Sequence, residues 1–237
     1  MPLQHPPSSP IRRVGLLGGT FDPIHAGHLA LGELFAATLA LDELILMPAG
    51  QQPQKHDSTP AQHRLAMTRL AAAELAERLR HAGLATSLRV STMEIERGGP
   101  SYTVDTLREL RRQLGPDASL TLLIGSDQLL RLDTWHEWQR LFEAAHIGVA
   151  ARPGFDWRSA PPAVHAAIAA RGADADTVQS SPCGHILLDD SLAIDISATD
   201  LRAELARMNN SRQPAGAAAD LLAPILDYIQ AHHLYRT

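Results

Sequence analysis

Two glycines and two histidines carry the first chemical signal in this chain. Within GGTFDPIHAGHL, Gly18 to Leu29, Gly18 and Gly19 let a backbone approach a ligand closely, while His25 and His28 stand three residues apart. If a helix begins near His25, both imidazoles project to one side of its first turn. A helix start also presents free N–H groups and partial positive charge, so the stretch reads as a cradle for phosphate. The same residues fit a plain tight turn, or a histidine pair on a metal. For the metal, no Cys, Asp or Glu lies at a matching spacing nearby.

The neighbouring elements suit the phosphate reading. An apolar strand, Ile11 to Leu17 with Val14 to Leu17 as its buried run, precedes the glycines. Leu29 to Leu41 follows with apolar residues at helical spacing and no proline. A second strand, Glu43 to Met47, closes a βαβ unit and implies a parallel sheet. Pro48 to Pro60 then leaves that strand at the carboxyl edge, where open α/β sheets collect ligands, and Lys55 and His56 are its cationic candidates.

Further along, Ala61 to His81 reads as a long amphipathic helix and Leu88 to Ser91 as a strand. Gly98 to Leu107 is a loop entering a helix, with Ser101 or Thr103 available as N-cap. Leu120 to Ile124 should be a central strand buried on both faces, and Gly125 to Gln128 leaves its carboxyl end. There Asp127 could bind magnesium or cap the next helix, the cap being the simpler role. His146 to Ala151 and His185 to Leu188 read as strands, Pro162 to Ala170 as a helix, and Ala219 to Tyr235 as an amphipathic helix. Ile196 to Arg202 opens another helix, with Ser197 and Thr199 near its cap and Arg202 one turn in, so hydroxyls and a guanidinium could meet one anion.

Composition bounds the rest. With 237 residues, 45% of them hydrophobic, the chain can bury a full core. Its net charge of −5 argues against a nucleic-acid surface, and a single cysteine, Cys183, against a disulfide framework. Met1 to Pro10 is expected to be mobile and lacks the apolar segment of a signal peptide, and no apolar run is long enough to span a membrane. The expectation is a cytoplasmic protein with a small ligand and no membrane or nucleic-acid partner, folded from residue 11 to 237 as one domain.

Taken together, GGTFDPIHAGHL resembles the signature of the HxGH nucleotidyltransferase superfamily and, within it, the nicotinate-nucleotide adenylyltransferases. The resemblance runs from about Val14 to Tyr235. It implies a doubly wound Rossmann-like α/β fold with helices on both faces of a parallel sheet. It implies, too, transfer of an adenylyl group from ATP to nicotinate mononucleotide, with magnesium carried on the ATP phosphates.

By that resemblance His25, His28, Arg202 and Lys55 stabilise charge on the phosphates. Gly18, Gly19, Thr20, Phe21, Gly125, Asp127, Ile196, Ser197 and Thr199 complete the ATP site, and no resident metal site is implied. SYTVDT resembles the segment that holds the nicotinate end, giving Ser101, Tyr102 and Thr103. Trp135 of LDTWHEW resembles a tryptophan that stacks on the pyridine ring, whereas Trp138 reads as packing. Two departures stand out. Pro53-Gln54-Lys55-His56 replaces the family's Pro-Pro-His-Lys element, and Ala198 replaces a serine in its ISSTxIR element. Pantetheine-phosphate adenylyltransferase and a nucleotide-binding regulator without turnover remain as alternative readings.

Overall fold

The computed structural model describes residues 11–51, 58–151, 155–192, 201–203, 205 and 220–236. The terminal segment Met1 to Pro10 and the expected site residues Lys55, Ile196, Ser197 and Thr199 lie outside the described residues.

Six parallel strands form one sheet: β1 (Arg13–Gly19), β2 (Glu43–Pro48), β3 (Ser87–Val90), β4 (Ser119–Gly125), β5 (His146–Ala150) and β6 (Ile186–Asp189). Their spatial order is β3-β2-β1-β4-β5-β6, the doubly wound arrangement expected. The direction of winding reverses between β1 and β4, where Leu17 pairs with Leu123 near the carboxyl ends. A crevice opens there.

Alternation along β1 assigns its side chains to two cores. Val14 and Leu16 join the cluster formed with Val104, Leu107 and Leu110, while Leu17 joins Leu29, Phe35, Met67 and Leu75. Gly15 faces the second group, where a Cβ would lie 2.6 Å from the Leu41 side chain, so that helices pack close to the sheet. Helices α1 (Ala26–Thr38) and α2 (Ala61–His81) cover this face. Helix α4 (Thr103–Leu114) covers the other, preceded by the short α3 (Met93–Arg97). Every residue of β5 is buried, and β4 is buried through Ile124, as expected of central parallel strands.

Several boundaries move. β1 begins at Arg13 and α1 at Ala26, a turn earlier than apolar spacing suggested, because His25 to His28 holds two histidines, an alanine and a glycine and no large apolar residue to carry a periodic signal. The last described helix spans Ala223–Ala231 rather than reaching Tyr235. Helix α3 and the short α7 (Ala175–Gln179), which follows α6 (Pro162–Arg171), were not expected, since one turn of helix holds too few residues for a pattern. Among the described residues no helix is long and apolar enough to cross a membrane.

Candidate active site

Strand β1 delivers Gly18 and Gly19 to the crevice. A Cβ on Gly19 would lie 2.8 Å from the Phe21 ring, so glycine lets that ring fold back over the turn. Phe21 takes φ +51° with its ring buried, a left-handed conformation that non-glycine residues adopt at a cost. The chain then enters α1 with His25 as N-cap. The His25 backbone N–H donates to His28 Nδ1 at 3.2 Å, and the two rings lie 3.8 Å apart, with Phe21 edge-on to His28. Both imidazoles therefore stand together at the helix start, as the spacing of three implied.

A second wall rises from β2. Ser101 N–H donates to the Gln51 carbonyl at 2.8 Å, drawing the loop after α3 against the end of β2. Tyr102, not Ser101 or Thr103, is the N-cap of α4; it makes no side-chain capping bond, and Thr103 is the first helical residue. Glu94 of α3 lies in this wall. Burial holds its carboxyl above the usual carboxylate range, against the Thr106 hydroxyl, which donates to it at 2.7 Å, and Arg97.

The third wall leaves β4. Gly125 is the N-cap of α5 (Ser126–Leu129), so Asp127 is not the cap but sits in the first turn. A Cβ on Gly125 would come within 2.8 Å of Asp127 Oδ1. After a 3-10 turn, Leu132–Thr134, the side chains of Trp135 and His136 reach the cavity, with His136 tilted over Tyr102 at a centroid distance of 4.4 Å. Trp138 packs edge-on against Phe142 instead.

These walls enclose a cavity of about 720 Å³, ample for a nucleotide. Gly18, Gly19, Thr20, Phe21, His25 and His28 line it beside Ser101, Tyr102, Thr103, Gly125, Asp127, Trp135 and Arg202. Every expected site residue among those described is thus gathered at one place. Asp22, Glu94, Arg131 and His136 also line it and were not singled out from the sequence. His136 was within reach of that reading, since it adjoins Trp135; Glu94 was not, because a glutamate in a one-turn helix looks like solvated surface. Arg202 donates from one guanidinium nitrogen to the Asp22 carbonyl at 2.7 Å.

A 3-2-1-4-5-6 sheet whose switch-point crevice carries two histidines at a helix start defines a nucleotidyltransferase of the cytidylyltransferase-like class, and the model of that family matches residues 16–204. A probable nicotinate-nucleotide adenylyltransferase of Herminiimonas arsenicoxydans is 41% identical over 231 residues, covering 95% of this chain and 98% of its own. One of Laribacter hongkongensis is 44% identical over 226 residues, covering 94% of each chain. The chain belongs to the nicotinate-nucleotide adenylyltransferase family. Its fold is shared with the Plasmodium falciparum nicotinic acid mononucleotide adenylyltransferase solved with NaAD, at a TM-score of 0.65 and 17% identity, with 94% of this chain and 97% of that one covered.

Proposed function

We propose that this protein joins ATP and nicotinate mononucleotide to give nicotinate adenine dinucleotide and pyrophosphate, a step of NAD biosynthesis. The observation that carries the reading is one cavity with a phosphate-binding helix start at one side, His25 and His28, and an aromatic wall of Tyr102, Trp135 and His136 at another. Family membership supports the same acceptor over a pantetheine phosphate.

In this reaction an oxygen of the mononucleotide phosphate bonds to the α-phosphorus of ATP as the bond to the bridging oxygen of pyrophosphate breaks. The attacking phosphate has a second pKa of about 6, so it is dianionic at neutral pH and needs no general base. The protein's work is alignment and charge. His25, His28, the N–H groups that open α1, and Arg202 meet the charge that grows on the leaving pyrophosphate, with Gly18 and Gly19 admitting the nucleotide close to the strand end. Lys55, Ser197 and Thr199 are proposed for the same phosphates on resemblance alone.

Among the described residues no group of three or more His, Cys, Asp or Glu could hold a metal ion. In this reading magnesium enters as part of the ATP substrate, held by phosphate oxygens and water.

The start of α4 offers N–H donors to the acceptor's ring substituent. A carboxylate accepts from every such donor, whereas an amide places its own two donors against them. Pyrophosphate release measured with ATP and magnesium against nicotinate mononucleotide, nicotinamide mononucleotide and pantetheine phosphate tests the reading. The expected kcat/KM for the nicotinate form exceeds that for the amide by about tenfold or more. A higher value for either other acceptor rejects the assignment, and no release with any acceptor indicates a binding protein.

A further inference from the structure

Asp22 lies on the turn between Gly19 and His25 and is 6% exposed. Its Oδ1 accepts from the Tyr235 hydroxyl at 2.6 Å, its Oδ2 from the Thr59 backbone N–H at 3.1 Å, and its carbonyl oxygen from Arg202 at 2.7 Å. Three segments distant in sequence therefore meet on one aspartate. Arg64, 2% exposed, closes the ring. It donates to the carbonyls of Thr20 at 2.7 Å, Thr59 at 2.8 Å and Gly50 at 2.9 Å.

A carboxylate with both oxygens engaged is not poised as a base. What the network does is hold a shape. Phe21 occupies a left-handed conformation, which persists only where the surroundings over-determine it. The turn that contains it leads directly to the N-cap histidine, and the Arg202 guanidinium hangs from the same turn through the Asp22 carbonyl.

We propose that Tyr235 is a positioning residue for adenylyl transfer: its hydroxyl, through Asp22, locks the turn that sets His25 and holds Arg202 at the cavity. The inference rests on the function proposed above. Burial raises the tyrosine's pKa, so the hydroxyl remains a donor at any working pH. Without it, the buried carboxylate lacks a donor on Oδ1, and the Arg202 guanidinium, already on the Asp22 carbonyl, is drawn onto the carboxylate and off the phosphates.

The test is Tyr235→Phe in the full chain, which removes one oxygen and keeps the ring. The expected outcome is a kcat lowered about 10- to 100-fold with the acceptor KM within about twofold, because the aromatic wall is untouched. Asp22→Ala removes the acceptor and so breaks the same contact from the other side. Adding it to Tyr235→Phe should lower kcat little further, and alone it supplies the same readouts should the phenylalanine variant not fold. Hydrogen exchange gives a readout independent of turnover, with the amides of Phe21, Asp22, Ile24 and His25 exchanging faster and those of β4 unchanged. A kcat within twofold of wild type overturns the proposal, as does loss of protection that is equal in the turn and in β4. Absence of pyrophosphate release by the wild-type protein would reject the proposed function instead, and the exchange pattern would still decide the lock.

Discussion

The backbone N–H of His25 donates to Nδ1 of His28 at 3.2 Å. A nitrogen that accepts that hydrogen bond carries no proton, so the neutral ring bears its proton on Nε2. This is a capping box with histidine in the place usual for glutamate, and in the proposed function the same residue also donates to phosphate.

His28→Ala should therefore lose two things. Turnover is expected to fall by about 100- to 1000-fold, the usual result of removing a donor from developing charge, with little change in mononucleotide KM. The lost cap should cost about 1 kcal/mol of stability. His28→Asn, whose side-chain oxygen can accept from the His25 N–H, should recover the melting temperature more than the turnover. Steady-state kinetics with thermal melts separate the two, and near-wild-type turnover in the alanine variant would reject the role.

Trp135 lines the cavity, whereas Trp138 packs against Phe142. Trp135→Ala should raise the acceptor KM by about 1 to 3 kcal/mol of lost stacking and leave ATP affinity nearly unchanged. Trp138→Ala should lower stability through its contact with Phe142 and leave KM alone. Reversed phenotypes would move the stacking role from Trp135 to Trp138.

Gly50 is a packing constraint beside the site. A Cβ there would lie 2.2 Å from the Glu94 carbonyl oxygen and 2.8 Å from its carbon, and neither backbone atom can rotate away. Gly50→Ala should cost about 1 to 3 kcal/mol in urea denaturation and raise the acceptor KM by pushing the α3 wall outward. An unchanged denaturation midpoint would mean that the wall yields freely.

His146 predicts a pH dependence of stability at the opposite end of the sheet from the site. It is fully buried, its Nδ1 accepts from the His185 N–H at 3.1 Å, its Nε2 donates to the Ser181 carbonyl at 2.9 Å, and burial lowers its pKa to about 4. The unfolded chain, with an ordinary histidine pKa of about 6.5, binds the extra proton between those two values. Stability should be full above pH 6.5 and fall as pH drops toward 4, by up to about 1.4 kcal/mol per pH unit from this group. Urea midpoints at pH 7.5 and 5 should differ more for wild type than for His146→Gln. Equal differences would show that the ring is already protonated in the fold.

The sequence alone determined those features that depend on local order. Strand, glycine turn and helix follow one another within about thirty residues, so periodicity and backbone preference reveal them, and the two histidines fall on one helix face by spacing alone. Strand types and the parallel sheet were legible for the same reason. The choice of Trp135 came from likeness to a family rather than from any local rule. Tertiary structure alone decided how α4 is capped, where α5 begins, and which residues support the turn. Tyr235 meets Asp22 across 213 positions and Arg64 reaches the Thr20 carbonyl across 44. Such pairs leave no mark in a local pattern, because each looks like an ordinary surface polar residue until the sheet brings the carboxyl ends of β1 and β2 beside α2 and the chain's last described segment. Their burial, and hence their need for one another, exists only in the packed molecule.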